Sequence, residues 1–266
     1  YPESLSTNLV HDPGQAWNAI TVGACTDKID TEGHASLNPV AEAGGLSPFT
    51  TTTRTWDRAW PLKPEVVLEG GNAAKDNLGA VGMPSLNLLT THNQPLNRLF
   101  TTSNATSAAS ALCAGMAAQI MAAYPHLRPE TVRALLVHSA QWSDSMRGMF
   151  LPADRMPNKG DYVHLIRHCG WGTPDLNRAL WSAGDSLTLL VEDQVHPYAK
   201  VPVKGVVTRD MNLHSLPWPK DELEALQDTP VEMRVTLSYF IEPNPSARGA
   251  ASKYHYPSHR LRFDVQ

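Results

Sequence analysis

Cysteine is scarce in this chain. Cys25, Cys113 and Cys169 are the only three in 266 residues, they lie far apart, and no Cys-x-x-Cys pair occurs. A disulfide framework and a zinc site are therefore not expected, and the balance leans to a reducing, cytoplasmic compartment. Charge of one sign is also lacking: 22 Lys and Arg face 26 Asp and Glu, a net charge of −4 without a basic run. Binding to nucleic acid or to a membrane surface thus has no electrostatic footprint. No uninterrupted stretch reaches the roughly 18 apolar residues that read as a bilayer span. No His-Glu-x-x-His or comparable cluster is present, which disfavours a metal-dependent hydrolase. No serine sits in a Gly-x-Ser-x-Gly elbow, which disfavours an α/β-hydrolase. No signal peptide and no initiator Met open the chain at Tyr1.

The informative stretch is Thr106-Ser107, followed by Ala108-Ala109-Ser110-Ala111-Leu112-Cys113-Ala114-Gly115. It predicts a long helix of small residues with a serine in its first turn. Small side chains let such a helix lie close to a sheet, deep in a domain. A serine hydroxyl becomes a useful nucleophile when a base takes its proton and N–H donors receive the oxyanion. A helix start supplies unpaired N–H groups and a positive dipole end. The alternative for these residues alone is a buried Ala-rich helix capped by Thr or Ser, with Cys113 as a small apolar side chain.

The rest of the chain supplies the setting. Residues 1–15 read as loop. Ala19–Cys25 and Glu65–Leu68 are short apolar runs, as expected of strands buried on both faces. Residues 26–62, rich in Thr, Gly and Pro, read as irregular connections, with Trp56 and Trp60 as cover for the core. A further strand is predicted at Ser85–Thr91, and a helix from about Thr106 to Tyr124, stopped by Pro125. The next helix opens at Pro129, with Glu130 in its first turn. Val132, Leu135, Leu136 and Ser139 form its inward stripe, leaving Arg133 and His138 off it. Helices are also predicted at Asp161–Arg167 and Thr173–Trp181. After about Asp185 the pattern turns to strands at Leu187–Glu192, Val201–Val207, Val231–Phe240 and His259–Val265, with a short helix at Asp221–Leu226. Strands in succession predict a β-sandwich or jelly-roll accessory domain over 186–266.

The serine motif resembles the nucleophile motif of subtilisin-like serine peptidases, Gly-Thr-Ser-x-Ala-x-Pro followed by Ala-Gly. Ala105, Thr106, Ser107, Ala109, Ala114 and Gly115 fall on matching positions. Ala105 stands where the family has Gly, and Ala111 where it has Pro. Four further segments resemble the family in the same order. They are Ala19–Ala24, then Leu46–Phe49 with Lys63–Gly70 (the Lys-Pro-Asp-Val-x-Ala-Pro-Gly stretch), then Pro125 with Pro129–Leu136, then Gly170-Trp171-Gly172. The resemblance covers roughly residues 15–180. It implies an α/β fold: the C-terminal part of a subtilisin-like parallel-sheet domain over 1–185, followed by the all-β domain.

The implied activity is endopeptidase hydrolysis of a protein or peptide substrate. Ser107 would be the nucleophile and a backbone oxyanion donor, and Thr106 the helix cap beside it. In this family the triad runs Asp, His, Ser along the chain, with an oxyanion Asn in an Ala-Gly-Asn loop. Here the segments matching the pre-nucleophile region begin at about residue 19. The chain therefore reads as the C-terminal part of a longer enzyme, inactive alone, whose partner is the missing N-terminal half of the same polypeptide. His11, His34 and His92 precede the serine, but none has the family's context, and His92 reads as a surface-loop residue. Asn72 and Asn104 do not follow Ala-Gly. No cofactor is expected. Calcium has a weak candidate in Asp27, Asp30 and Glu32, for which surface solvation is the simpler account. The rival reading is a non-catalytic protein-binding module of a degenerate subtilisin-like protein.

Overall fold

The computed structural model describes residues 1–56, 60–184, 188–196, 198–210, 212–215 and 219–241. The chain divides into two units, one of Tyr1–Ser186 with Thr236–Ile241, the other of Leu187–Val235 with Glu242–Gln266. In the first unit the strands are β1 (Val22–Thr26), β2 (Asn38–Pro39), β3 (Gly45–Leu46), β4 (Val66–Glu69), β5 (Ala74–Lys75), β6 (Ala80–Val81), β7 (Leu88–Thr91) and β8 (Phe100–Ser103). The helices α1 (Ala105–Ala123), α2 (Pro129–Ser139), α3 (Asp144–Phe150), α4 (Lys159–Cys169) and α5 (Leu176–Gly184) follow. The central sheet has the order β3-β1-β4. β1 and β4 run parallel, with Val22 opposite Val66 and Cys25 opposite Glu69. Residues 38–81 add a small antiparallel sheet, β2-β5-β6, and β7 and β8 form a hairpin leading into α1.

The apolar runs at Val22–Cys25 and Val66–Leu68 are uninterrupted because both faces of this sheet are covered. Val22, Ala24, Val66 and Leu68 meet Ala109, Cys113 and Ile120 of α1, Val132, Leu135 and Leu136 of α2 and Ala179 of α5. The alternate residues Cys25 and Val67 join Leu5, Leu46, Met146, Leu165 and Cys169 on the other side. Side chains alternate along a strand, so one run feeds two cores. The inward stripe of α2 is the predicted one, and Leu135 and Leu136 are buried nearly completely; each contributes roughly 2–3 kcal/mol by removal from water. All three cysteines are free and buried, and burial pushes the thiols of Cys25 and Cys113 up to about 12 and about 11. α1 is long and apolar enough, by length and composition, to cross a membrane. Here it lies on β1 and β4 through Ala109, Cys113 and Ile120.

Besides the short strands β2, β3, β5, β6 and β8, a helix and the C-terminal pattern differ from expectation. α3 falls in a region that gives no periodic signal. Its start is fixed by Ser143, whose Oγ accepts from Met146 N at 3.1 Å and donates to Gly44 O at 2.5 Å. The strand-rich C-terminal pattern is realised only in part. Among the described residues of the second unit, the strands are β9 (Tyr198–Val201) and β10 (Gly205–Thr208), an antiparallel hairpin, and the helix is α6 (Lys220–Ala225). Residues 188–192 and 231–241 make no strand ladder. The predicted strand at His259–Val265 lies outside the described residues.

The α3–α4 contact carries a buried imidazole. His168 stacks on Phe150 at 4.4 Å and meets the edge of His164 at 4.6 Å. Its Nδ1 donates to the His164 carbonyl at 2.7 Å, so Nδ1 holds the proton of the neutral ring. Burial first, then the charges of His164 and Arg54, lower its pKa to about 4 despite that hydrogen bond. His164 is lowered as well, chiefly by burial and then by Arg54, with Asp161 opposing. An unfolded histidine titrates near 6.5, so the unfolded chain takes up a proton that the folded chain refuses between about pH 6.5 and 4. Stability is therefore complete above that window and falls as pH drops through it, by about 3 kcal/mol for His168. Urea titrations at pH 7 and pH 4.5 should show this loss, and His168→Phe should remove most of it; a midpoint independent of pH would contradict the assignment.

Candidate active site

The parallel strands deliver Glu69 and Gly70 to the C-terminal edge of the sheet, where ligands collect in open α/β sheets. The start of α1 is tied to that edge by a hydrogen bond from Ala105 N to Gly70 O at 2.7 Å. The approach requires glycine. A Cβ at Gly70 would collide with the Cβ of Ala24 and lie 3.1 Å from Ala105 O. The turn is held from below by three side chains. Glu69 accepts from Gly71 N at 2.7 Å and from Asp27 N at 2.8 Å. Ser47 Oγ donates to Gly71 O at 2.6 Å. Asn72 is fully buried; its amide nitrogen donates to Lys28 O and Ala41 O, and its oxygen accepts from Ala41 N and Ala73 N.

Ser107 is the third residue of α1 and is exposed, whereas Ala108 and Ala109, the next two, are buried against the sheet. As the third helical residue its N–H is one of the donors that no intrahelical carbonyl can reach. Hydroxyl and free N–H are thus presented together, at the positive end of a helix of 19 residues. The entry to the helix is unusual: Ala105 has φ +66, a left-handed conformation that L-residues other than glycine seldom adopt.

The cap is not Thr106. The N-cap position falls on Asn104, and Thr106 is the second helical residue, inside the turn it was expected to close. Asn104 donates from its amide nitrogen to Asn87 Oδ1 at 3.1 Å, and its side chain accepts no hydrogen bond from the helix. Asn72 is consumed by the four bonds just described, so it holds a loop and has no donor left for an oxyanion. His92 lies beyond β7, where its Nδ1 accepts from Gln94 N at 3.0 Å. Among the described residues, no histidine hydrogen-bonds Ser107. Asp27, Asp30 and Glu32 do not converge either. Asp30 accepts from Glu32 N at 2.8 Å in a local turn, and no described group of three His, Cys, Asp or Glu side chains forms a metal site. Sequence reasoning passed over Glu69, which occupies the place of Pro in the family stretch; that mismatch was the visible signal of its bracing role.

The first unit is thus an α/β arrangement that exposes a serine at the start of a small-residue helix, at the carboxyl edge of parallel strands. The Subtilase family model (Peptidase S8) matches residues 2–172. The chain belongs to the subtilase family. It is 32% identical over 212 residues to the uncharacterized protein y4bN of Sinorhizobium fredii, an alignment that takes in 73% of this chain and 46% of that protein. The chain thus spans about half the length of that relative. Among solved structures it resembles a protease from Pseudoalteromonas arctica, with 18% identity, a TM-score of 0.37, and coverage of 65% of this chain and 38% of that one.

Proposed function

We propose that this chain carries the nucleophile of a serine endopeptidase of the subtilisin type and that Ser107 forms its acyl-enzyme. The observation that supports this best is the exposed Ser107 hydroxyl beside its own unpaired N–H at the edge of the β1–β4 pair. In this reading Ser107 Oγ attacks the scissile carbonyl carbon of a protein or peptide substrate, and its proton passes to a histidine held outside this chain. The C–N bond breaks as that histidine protonates the leaving amine, and water then hydrolyses the ester. The Ser107 N–H donates to the oxyanion, with an asparagine outside this chain as the second donor. Thr106 flanks the nucleophile, and no cofactor takes part.

The partner in this proposal is the rest of the same polypeptide, with residues 186–266 as an accessory β-domain. Two observations support it: the 46% coverage of the relative, and the outward face of α1, where Ala111, Leu112, Ala118, Met121 and Ala122 are exposed. Nucleic acid and membrane have no place in it, and the three free cysteines lean it towards a reducing compartment. The test is active-site labelling with a fluorophosphonate together with casein hydrolysis. The chain alone should label negligibly. A longer polypeptide supplying Asp, His and Asn should label at Ser107 and lose at least about 10³-fold on Ser107→Ala. Strong labelling of the isolated chain would contradict an external base; a longer polypeptide that neither labels nor cleaves would favour a binding module.

A further inference from the structure

Residues 236–241 belong to the first unit, although the residues flanking them in sequence on both sides belong to the second. They make no strand ladder. Three side chains hold them. Arg133 donates from Nε to Ser238 Oγ at 2.9 Å and from Nη2 to Tyr239 O at 2.6 Å. Its Nη1 turns the other way, to Asn18 O at 3.2 Å, and the guanidinium lies 4.7 Å from the centre of the Phe240 ring. Asn18 closes a reciprocal pair with Ile241, its amide nitrogen donating to Ile241 O at 2.7 Å and its oxygen accepting from Ile241 N at 2.9 Å. His138 Nδ1 and Thr236 Oγ1 are 2.8 Å apart. The planar five-donor fork of arginine suits such a junction, where one side chain serves two separate backbone segments.

We infer that the outer edge of α2, together with Asn18, is a receptor for an extended chain segment, and that Thr236–Ile241 fills it as a detachable strap. The receptor reads backbone atoms at 239 and 241, hydroxyls at 236 and 238, and an aromatic face at 240. The fit is thus to a peptide patterned hydroxyl-x-hydroxyl-x-aromatic, with the next residue read through its backbone alone. Detachment follows from how the strap is held. Leu237 and Tyr239 remain 55% and 41% exposed, so few apolar contacts secure it. The buried stripe of α2, Val132, Leu135, Leu136 and Ser139, points away from it. Release exchanges a handful of polar contacts for water and leaves the core beneath intact, the condition for local opening below the global transition. The strap also lies away from the nucleophile. Asn18 precedes β1, at the amino ends of the parallel strands, whereas Ser107 stands at their carboxyl ends. Strap release therefore does not uncover the hydroxyl directly.

Hydrogen exchange on the full chain tests this. In the wild type the Ile241 amide should exchange at least about tenfold more slowly than an unstructured amide. Arg133→Ala and Asn18→Ala should each remove that protection, while the amides of Leu135 and Leu136 stay within about threefold of the wild type. Arg133→Lys, which keeps the charge but loses the fork, should fall between. Three results would overturn the inference: no protection of Ile241 in the wild type, protection unchanged in both alanine variants, or α2 amides accelerating in step with Ile241. The last would make the segment an inseparable part of the fold.

Discussion

Gly172→Ala is expected to unfold the first unit or to destabilise it by more than about 4 kcal/mol. The turn Gly170-Trp171-Gly172 closes the free edge of β4. Val67 N donates to Gly172 O at 3.0 Å, Trp171 N to Glu65 O at 2.8 Å, and Gly172 N to Cys169 O at 3.0 Å. Gly172 achieves this at φ +100, and a methyl there would overlap the Gln141 carbonyl and sit 2.6 Å from Trp142 N. Those atoms are backbone and cannot rotate away. Conformational strain alone costs about 1–3 kcal/mol, and relieving the clash means breaking the bonds that cover β4. A domain stable by about 5–15 kcal/mol cannot absorb much of that. Thermal unfolding of the variant is the measurement, and a midpoint within a few degrees of wild type would show that the turn yields.

Glu65→Ala should cost about 3–5 kcal/mol, because it strands a buried charge. Lys63 is fully buried, with Nζ donating to Glu65 Oε1 and to Ala19 O, each at 2.6 Å. Glu65 Oε2 accepts in turn from Thr21 N at 2.6 Å, so the pair clips the entry of β1 to that of β4. Burial is the largest influence on both groups, lowering the Lys63 pKa and raising that of Glu65, and each partner opposes the effect on the other. The pair is thus tolerated rather than strongly favoured. Replacing both, as Lys63→Met with Glu65→Leu, should recover most of the stability that Glu65→Ala loses. Urea unfolding of the single and double variants decides it; a double variant as unstable as the single would mean that the charges contribute more than their burial costs.

What could be read from the sequence was what depends on a side chain's own preference or on a run of them. β1 and β4 showed as apolar runs, α2 as a stripe opened by Pro129, and Ser107 as a hydroxyl at a helix start. Contacts made by backbone were invisible. Two-residue strands such as β2 and β5 have no period to detect. α3 buries Met146 alone, so it signals only through Ser143 and Asp144 at its start. The alternation over Val231–Phe240 was real, but alternation reports an extended chain and says nothing about what pairs with it. Part of that stretch is held by Arg133 and His138, residues visible beforehand only as departures from the α2 stripe. At the site, Ala105 differs from the family's glycine by a single methyl group, a small change of volume. Its weight lies in the torsion, which no composition or spacing reveals.

That torsion bears on how freely the serine can be aimed. Glycine at the doorway of α1 could wander among several backbone basins, letting the first turn swivel. Alanine held at φ +66 has one narrow basin of that hand open to it. Two residues later the hydroxyl inherits this confinement: its bearing is locked by the chain itself, at the expense of the freedom to re-aim.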